Sequence, residues 1–181
     1  MNTSAESAEN KSSGPCDFDR TLAFLVLRAW LGLRALLTGI EKFAGFTTVQ
    51  KPLVDPVTGM EDPSGAMIEV KQKVYAFTNY AAMPPSLKEK FMHEPLLPSF
   101  AVSGFCAVLG PLLIALGLML LVGLGTRLSL ALQGLLYAGL TAGLILIKQD
   151  DGVSWLGIHV ALVAFALMLA KHNKFTLLKK W

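Results

Sequence analysis

Apolar residues along the chain are concentrated in four long stretches separated by polar or proline-rich segments. Each stretch approaches the roughly 20 mostly apolar residues that a helix needs to cross a bilayer. The predicted spans lie at about 21–41, 98–124, 128–147 and 155–170. The pattern therefore predicts an all-α membrane protein, built as a four-transmembrane-helix bundle.

The segment 43–97 between the first two predicted spans is more polar and contains six prolines. Within it, Ala66–Ala82 has apolar residues at three- and four-residue spacing, which predicts an amphipathic helix. Ser86–Glu94 is interpreted as a second short helix with Ser86 as its N-cap. Ordinary connections have about 4–6 residues. We therefore predict that this long extracytoplasmic loop, carrying short amphipathic helices, forms a cap on the bundle.

The composition supports a membrane protein and excludes several other classes. Hydrophobic residues make up 53% of the chain and charged residues only 16%, against about 25% charged residues in soluble domains. The net charge of +3 is spread along the chain, without the clustered basic face that nucleic-acid binding requires. Two cysteines without a CxxC motif and three scattered histidines indicate neither a disulfide framework nor a metal site.

The distribution of basic residues predicts the orientation in the membrane. Arg127 lies in the turn between the second and third spans, and the C-terminal tail carries four lysines, at 171, 174, 179 and 180. The link between the third and fourth spans instead contains Asp150 and Asp151. The positive-inside rule then places both termini in the cytoplasm of a bacterial-type inner membrane, with residues 1–19 as a flexible cytoplasmic tail.

The first span contains charges at positions where a bilayer makes them costly. Arg28 and Arg34 lie inside it and Glu41 near its end, and a charge near the helix centre costs roughly 2.5–3.5 kcal/mol or more. Arg28 is expected to reach the headgroups from near the cytoplasmic end. Arg34 lies deeper and shares a helix face with Glu41, seven residues on. We therefore predict a functional or inter-helix role for Arg34.

Glycines in the first two spans predict close helix packing. Gly32 and Gly39 are seven residues apart, and Gly104, Gly110 and Gly117 recur at six and seven residues. Small residues at such spacing allow the backbones of neighbouring membrane helices to approach each other.

Three parts of the chain together resemble a known family. They are the first span LRAWLGLRALLTGIEKF (27–43), the hairpin GLMLLVGLGTRLSLAL (117–132) and the basic tail. This arrangement resembles the DoxX-like family, four-helix membrane proteins related to the small subunit of thiosulfate:quinone oxidoreductase. Many relatives carry an acidic residue early in the second span, where this chain has Ser103, Gly104 and Cys106. The resemblance implies association with a respiratory or redox complex and contact with quinone.

The residues that would suit a quinone contact are Arg34, Glu41, Trp155 and His159. A histidine titrates near pH 6.5 and can act as a proton donor, and Glu41 would be a second proton carrier. Arg34 can hold a carbonyl oxygen, while Trp155 can stack on the ring. Each also has a purely structural interpretation: His159 as a packing residue, Trp155 and Glu41 as interfacial anchors.

Three functions remain open on the sequence alone. The first is an integral membrane subunit that scaffolds or anchors other subunits of a redox complex, in contact with lipid; association with further copies of itself stays open. The second is a quinone-reactive oxidoreductase subunit, and the third is a small transporter or proton path. No covalently bound or metal cofactor is expected within the chain, and whether it is itself an enzyme stays open.

Overall fold

The computed structural model describes residues 15–54, 58–60 and 64–173. The principal elements of this part of the chain are α1 (Pro15–Glu41), β1 (Ala44–Pro52), β2 (Met67–Tyr75), α2 (Pro85–His93), α3 (Ser99–Val122), α4 (Thr126–Leu146) and α5 (Asp150–Leu169). Four of them, α1, α3, α4 and α5, are long and apolar enough to cross a membrane. The four predicted spans are therefore confirmed, and the chain is a multi-pass helical membrane protein.

Two of the spanning helices begin earlier than predicted. The first helix begins at Pro15, before the predicted start at about residue 21, and α5 begins at Asp150, before residue 155. Acidic residues in the first turn, such as Asp17 and Asp150, favour these polar extensions because they complement the helix dipole. Of the predicted flexible tail, residues 1–14 lie outside the described residues, while Pro15–Asp19 are helical.

The four spanning helices form a closed ring. The helix α1 packs against α3 and α5, and α4 packs against α3 and α5. The interior is apolar, with Leu31, Leu120, Leu130 and Val163 almost inaccessible to solvent. Polar side chains inside the ring bond to backbone carbonyls, which removes the cost of burying them: the Ser129 hydroxyl donates to Leu116 O at 3.0 Å.

Glycines bring α1 and α3 into close contact, as predicted. A Cβ on Gly39 would lie 3.0 Å from the carbonyl oxygen of Gly110, and one on Gly117 would lie 2.5 Å from the backbone nitrogen of Leu36. Gly104 differs, since a Cβ there would meet nothing within 4 Å. It lies on the part of α3 that continues past the end of α1, so the predicted stripe is used only over the length where the two helices overlap.

The predicted amphipathic helix Ala66–Ala82 is wrong, because the first half of this segment, Met67–Tyr75, is a β-strand. The strands β1 and β2 pair antiparallel, from Ala44 opposite Tyr75 to Pro52 opposite Met67. Val70 and Val74 are four residues apart, a spacing compatible with both structures. Their β-branched side chains favour the strand, and Val49 lies directly opposite Val70, a cross-strand pair that an isolated helix would lose.

The second short helix of the loop is confirmed, but its predicted cap is wrong. The helix α2 begins at Pro85, with Pro84 at the N-cap position and no side-chain hydrogen bond there. Proline suits the first helical position because its missing N–H would have no partner, so Ser86 falls inside the helix. The Phe91 side chain is buried and lies where a Cβ on Gly143 of α4 would be 3.0 Å from its ring.

Tyr80 fixes the loop to the bundle by entering the backbone hydrogen bonding of α3. Its hydroxyl accepts a hydrogen bond from the Gly110 N–H at 3.1 Å and donates one to the carbonyl of Cys106. These two backbone groups are four residues apart and would otherwise pair directly. The neighbouring Ala81 N–H donates to the carbonyl of Lys42 at 2.7 Å. Residues 80–93 therefore form a roof over the bundle at the end of α1.

Contrary to the prediction, Arg28 does not reach towards the headgroups. Its side chain is buried, and its Nε and Nη2 donate to the carbonyl oxygens of Leu120 and Leu121 at 2.7 and 3.0 Å. A third bond joins Nη1 to Asn173 Oδ1 at 3.3 Å. The last carbonyls of a helix lack intrahelical hydrogen-bond donors. Arg28 donates to two of these carbonyls in α3.

Candidate functional site

A cavity of about 220 Å³ lies inside the bundle, where α1 ends and the roof begins. Most of its wall is apolar and comes from leucines of α3, α4 and α5 and from Met83, Leu87 and Phe91 of the roof. The polar or amphipathic side chains on the wall are Arg34, Thr38, Lys42, Tyr137, Trp155 and His159. An apolar cavity with a few converging polar groups is the usual form of a small-molecule site.

One wall of the cavity carries two cations. Arg34, Thr38 and Lys42 follow one another at four-residue spacing, which places them on the same face at the end of α1. Among the described residues, the side chains of Arg34 and Lys42 form no hydrogen bond or ion pair. Burial lowers the pKa of Lys42, because desolvation disfavours the ammonium form.

The wall formed by α5 presents a histidine nitrogen that has no protein partner among the described residues. His159 is 7% exposed, and its Nδ1 lies 2.8 Å from the carbonyl oxygen of Trp155. Because a carbonyl only accepts, the proton belongs on Nδ1, and Nε2 of the neutral ring is then an acceptor. Nε2 is buried and has no hydrogen-bond partner in the part of the chain that the structure describes.

Tyr137 and Gln133 complete the polar interior beside His159. The rings of Tyr137 and His159 meet edge to face with centroids 5.7 Å apart. Gln133 Nε2 donates to the Tyr137 hydroxyl at 2.9 Å and to the carbonyl of Leu31 at 3.1 Å. This network fixes the Tyr137 ring against the cavity, since both ends of the bond are buried.

A second cavity of about 310 Å³ adjoins the first and is lined by apolar residues and glycines. The two share Met83, Phe91 and Leu140. The second extends between α3 and α4 towards Phe105. Together they offer a polar compartment for a head group and an apolar compartment for a chain.

Unlike the other predicted site residues, Glu41 does not line the first cavity. Lys73 Nζ donates to its two carboxylate oxygens at 2.7 and 2.6 Å, and the Tyr75 hydroxyl donates to Oε1 at 3.1 Å. The hydrogen bond to Glu41 raises the pKa of Lys73. Glu41 lines a further cavity with Phe46, and this cavity shares Thr38, Lys42 and Met83 with the first. The structure thus brings Arg34, Trp155 and His159 to one cavity and leaves Glu41 outside it.

Three wall residues were not assigned to the site from the sequence. Thr38 and Lys42 follow Arg34 at four-residue intervals, and this periodicity was the available signal. Tyr137 had no local signal, because its place opposite His159 depends on how α4 packs against α5.

Among the described residues, no three His, Cys, Asp or Glu side chains lie together as a metal-binding group. Comparison of the chain with protein-family models, with curated proteins and with solved structures finds no match.

Proposed function

We propose that this protein is an integral membrane subunit of a redox complex and that it binds a quinone or quinol in the cavity of Arg34 and His159. The observation that carries the proposal is the joined pair of cavities, one with polar groups and one apolar. A quinone has the matching shape, a ring with two oxygens and an apolar chain. The resemblance to DoxX-like proteins supports the same assignment.

The residues of this chain would divide the work of binding between the two walls. A quinone exchanges electrons and protons at its ring oxygens. Arg34 and Lys42 can donate hydrogen bonds to one ring oxygen. His159 Nε2 can accept a hydroxyl proton, or donate one when the imidazole is protonated. Trp155 is 66% exposed at the cavity edge, where its ring can cover a bound head group.

In the proposed orientation both termini and Arg127 face the cytoplasm of an inner membrane. The β-hairpin formed by β1 and β2 lies on the other side, together with the roof. A scaffold role fits beside ligand binding, because the β-hairpin leaves Phe46 72% exposed and the adjacent Phe77 90% exposed. A transporter role finds less support. The helix α3 continues through Pro111 without interruption, whereas transporter sites are typically built on broken helices.

Purification in nanodiscs, followed by extraction and mass spectrometry of bound quinones, tests the proposal. We expect retention of quinone by the wild type and at least tenfold less by His159→Leu, because one hydrogen bond in a buried site changes affinity by about this factor. His93→Leu is the matched control, since His93 is exposed on α2. Absence of quinone from correctly folded wild type, or equal retention by both variants, would contradict the proposal.

A further inference from the structure

The charges around the cavity set a condition on its ligand that shape alone does not. Arg34 and Lys42 both lie on the wall, and the cavity lining contains no carboxylate. In the described part of the chain, neither cation has an ion pair. Lys42 is half-buried, and no ion pair offsets the desolvation of its ammonium group, whereas Arg34 is exposed.

The nearest candidate counter-ion is held elsewhere. Glu41 directly precedes Lys42, yet its carboxylate is bound by Lys73 Nζ and the Tyr75 hydroxyl on the hairpin. Lys42 is the first residue after α1, so the hydrogen bonds to Lys73 and Tyr75, and not the helix geometry, direct the Glu41 carboxylate. The hairpin therefore engages the Glu41 carboxylate, while Arg34 and Lys42 line the first cavity.

His159, on the wall formed by α5, adds a second requirement for the ligand. The carbonyl of Trp155 occupies His159 Nδ1, so the buried Nε2 of the neutral ring requires a hydrogen-bond donor. A ligand that satisfies both walls presents an anionic oxygen to Arg34 and Lys42 and a hydroxyl to His159. A neutral ring that bears only acceptors leaves the requirement at His159 unmet and the cations without a counter-charge.

We infer that the cavity selects ring ligands that carry both an ionised oxygen and a second, protonated hydroxyl, of the acidic dihydroxyquinone class, over neutral rings of the same shape. This inference rests on the proposed function, since it specifies which members of the quinone class bind. The depressed pKa of Lys42 agrees with it, because an anion beside the ammonium group offsets the desolvation that lowers that pKa.

The test is calorimetric titration of the protein in nanodiscs, with empty nanodiscs as the blank. The probes are a 2,7-dihydroxy-3-alkyl-1,4-naphthoquinone, whose 2-enol is ionised at neutral pH while its phenolic 7-hydroxyl keeps its proton, the 2-methoxy ether of the same compound, and a fatty acid of similar length. We expect the hydroxyquinone to bind at least tenfold more tightly than the ether, since charge-assisted hydrogen bonds are the stronger ones.

Arg34→Met and Lys42→Met should each reduce this preference several-fold while retaining the thermal stability of the wild type. Lys71→Met is the matched control, because Lys71 is exposed on β2 and should leave the preference unchanged. Equal binding of hydroxyquinone and ether would overturn the inference and leave the proposed function standing. Binding of the fatty acid as tightly as the hydroxyquinone would also overturn it, since the anion would then suffice without the ring. Failure of both ring probes to bind would instead contradict the proposed function.

Discussion

Arg28 and Arg34 of α1 lie six residues apart and have opposite roles at the two ends of the bundle. At the turn between α3 and α4, Arg28 is buried and bonded to the carbonyls that end α3. At the cavity, Arg34 lies on a wall of leucines and aromatic rings and, among the described residues, forms no ion pair. A charge whose hydrogen bonds are satisfied by backbone holds the fold together. A charge left facing a cavity is available to a ligand.

Other contacts also differ between the turn end and the cavity end of the bundle. Towards the turn, α1 and α3 meet at Gly32 and Gly117, and Asn173 Nδ2 donates to the Thr126 hydroxyl at 3.1 Å. Towards the cavity, α1 ends while α3 continues, and the space is covered by the roof and not by a helix. Ending α1 early therefore creates the cavity, and Tyr80 closes the remaining gap.

The largest expected effect comes from Arg28. Arg28→Met removes two hydrogen bonds from a charged donor to buried carbonyls, and we expect a loss of roughly 3 kcal/mol in the free energy of unfolding. Denaturant titration in mixed micelles measures it. Arg34→Met is the matched control and should change stability by less than about 0.5 kcal/mol. Equal losses of stability in both variants would contradict the assignment of Arg28 to a structural role and of Arg34 to ligand binding.

The second expected effect concerns the glycines. Gly117→Ala introduces a Cβ at 2.5 Å from the Leu36 nitrogen, so the helices must separate, at a cost of about 2 kcal/mol. Gly104→Ala meets open space and should stabilise α3 by up to about 1 kcal/mol through helix propensity. The same denaturant titration compares them. Destabilisation by the second variant would show that α3 is closely packed at the cavity end as well.

A smaller effect is expected at the roof. Tyr80→Phe removes the hydroxyl that joins the Gly110 N–H to the Cys106 carbonyl, and we expect a loss of about 1 kcal/mol. Hydrogen exchange should become faster in residues 80–93 and stay unchanged around Arg28. Tyr75→Phe, which removes a hydroxyl from the exposed hairpin, should leave exchange in the roof unchanged. Uniformly faster exchange would contradict a local role for Tyr80.

The smallest effect is expected for the exposed pair of Lys73 and Glu41. Lys73→Met should lower the thermal unfolding temperature less than Tyr80→Phe does, because water screens an exposed ion pair. The carboxylate raises the pKa of Lys73, so the contribution is complete at neutral pH and is lost as the pH rises through that raised pKa. The unfolding temperatures of wild type and variant should therefore differ near pH 7 and converge once the pH exceeds the raised pKa of Lys73. A difference that grows with pH would contradict this sign.

Much of the membrane architecture was predictable from the sequence. Long apolar stretches predict spanning helices because a bilayer requires internal backbone hydrogen bonding over about 20 residues. The spacing of Gly32, Gly39, Gly110 and Gly117 likewise predicts close packing before any partner helix is known. Both signals are local, since each depends only on residues within one helix.

The tertiary structure alone decided which charged and polar groups share a site. Glu41 belongs to the hairpin because β2 presents Lys73 and Tyr75 to it, and the helix predicted for Ala66–Ala82 would have hidden that contact. Arg28 is structural because α3 ends beside it, and Tyr137 faces His159 because α4 packs on α5. Sequence determines which groups a helix face carries, whereas the packing of distant segments determines which of those groups are satisfied and which remain free to bind.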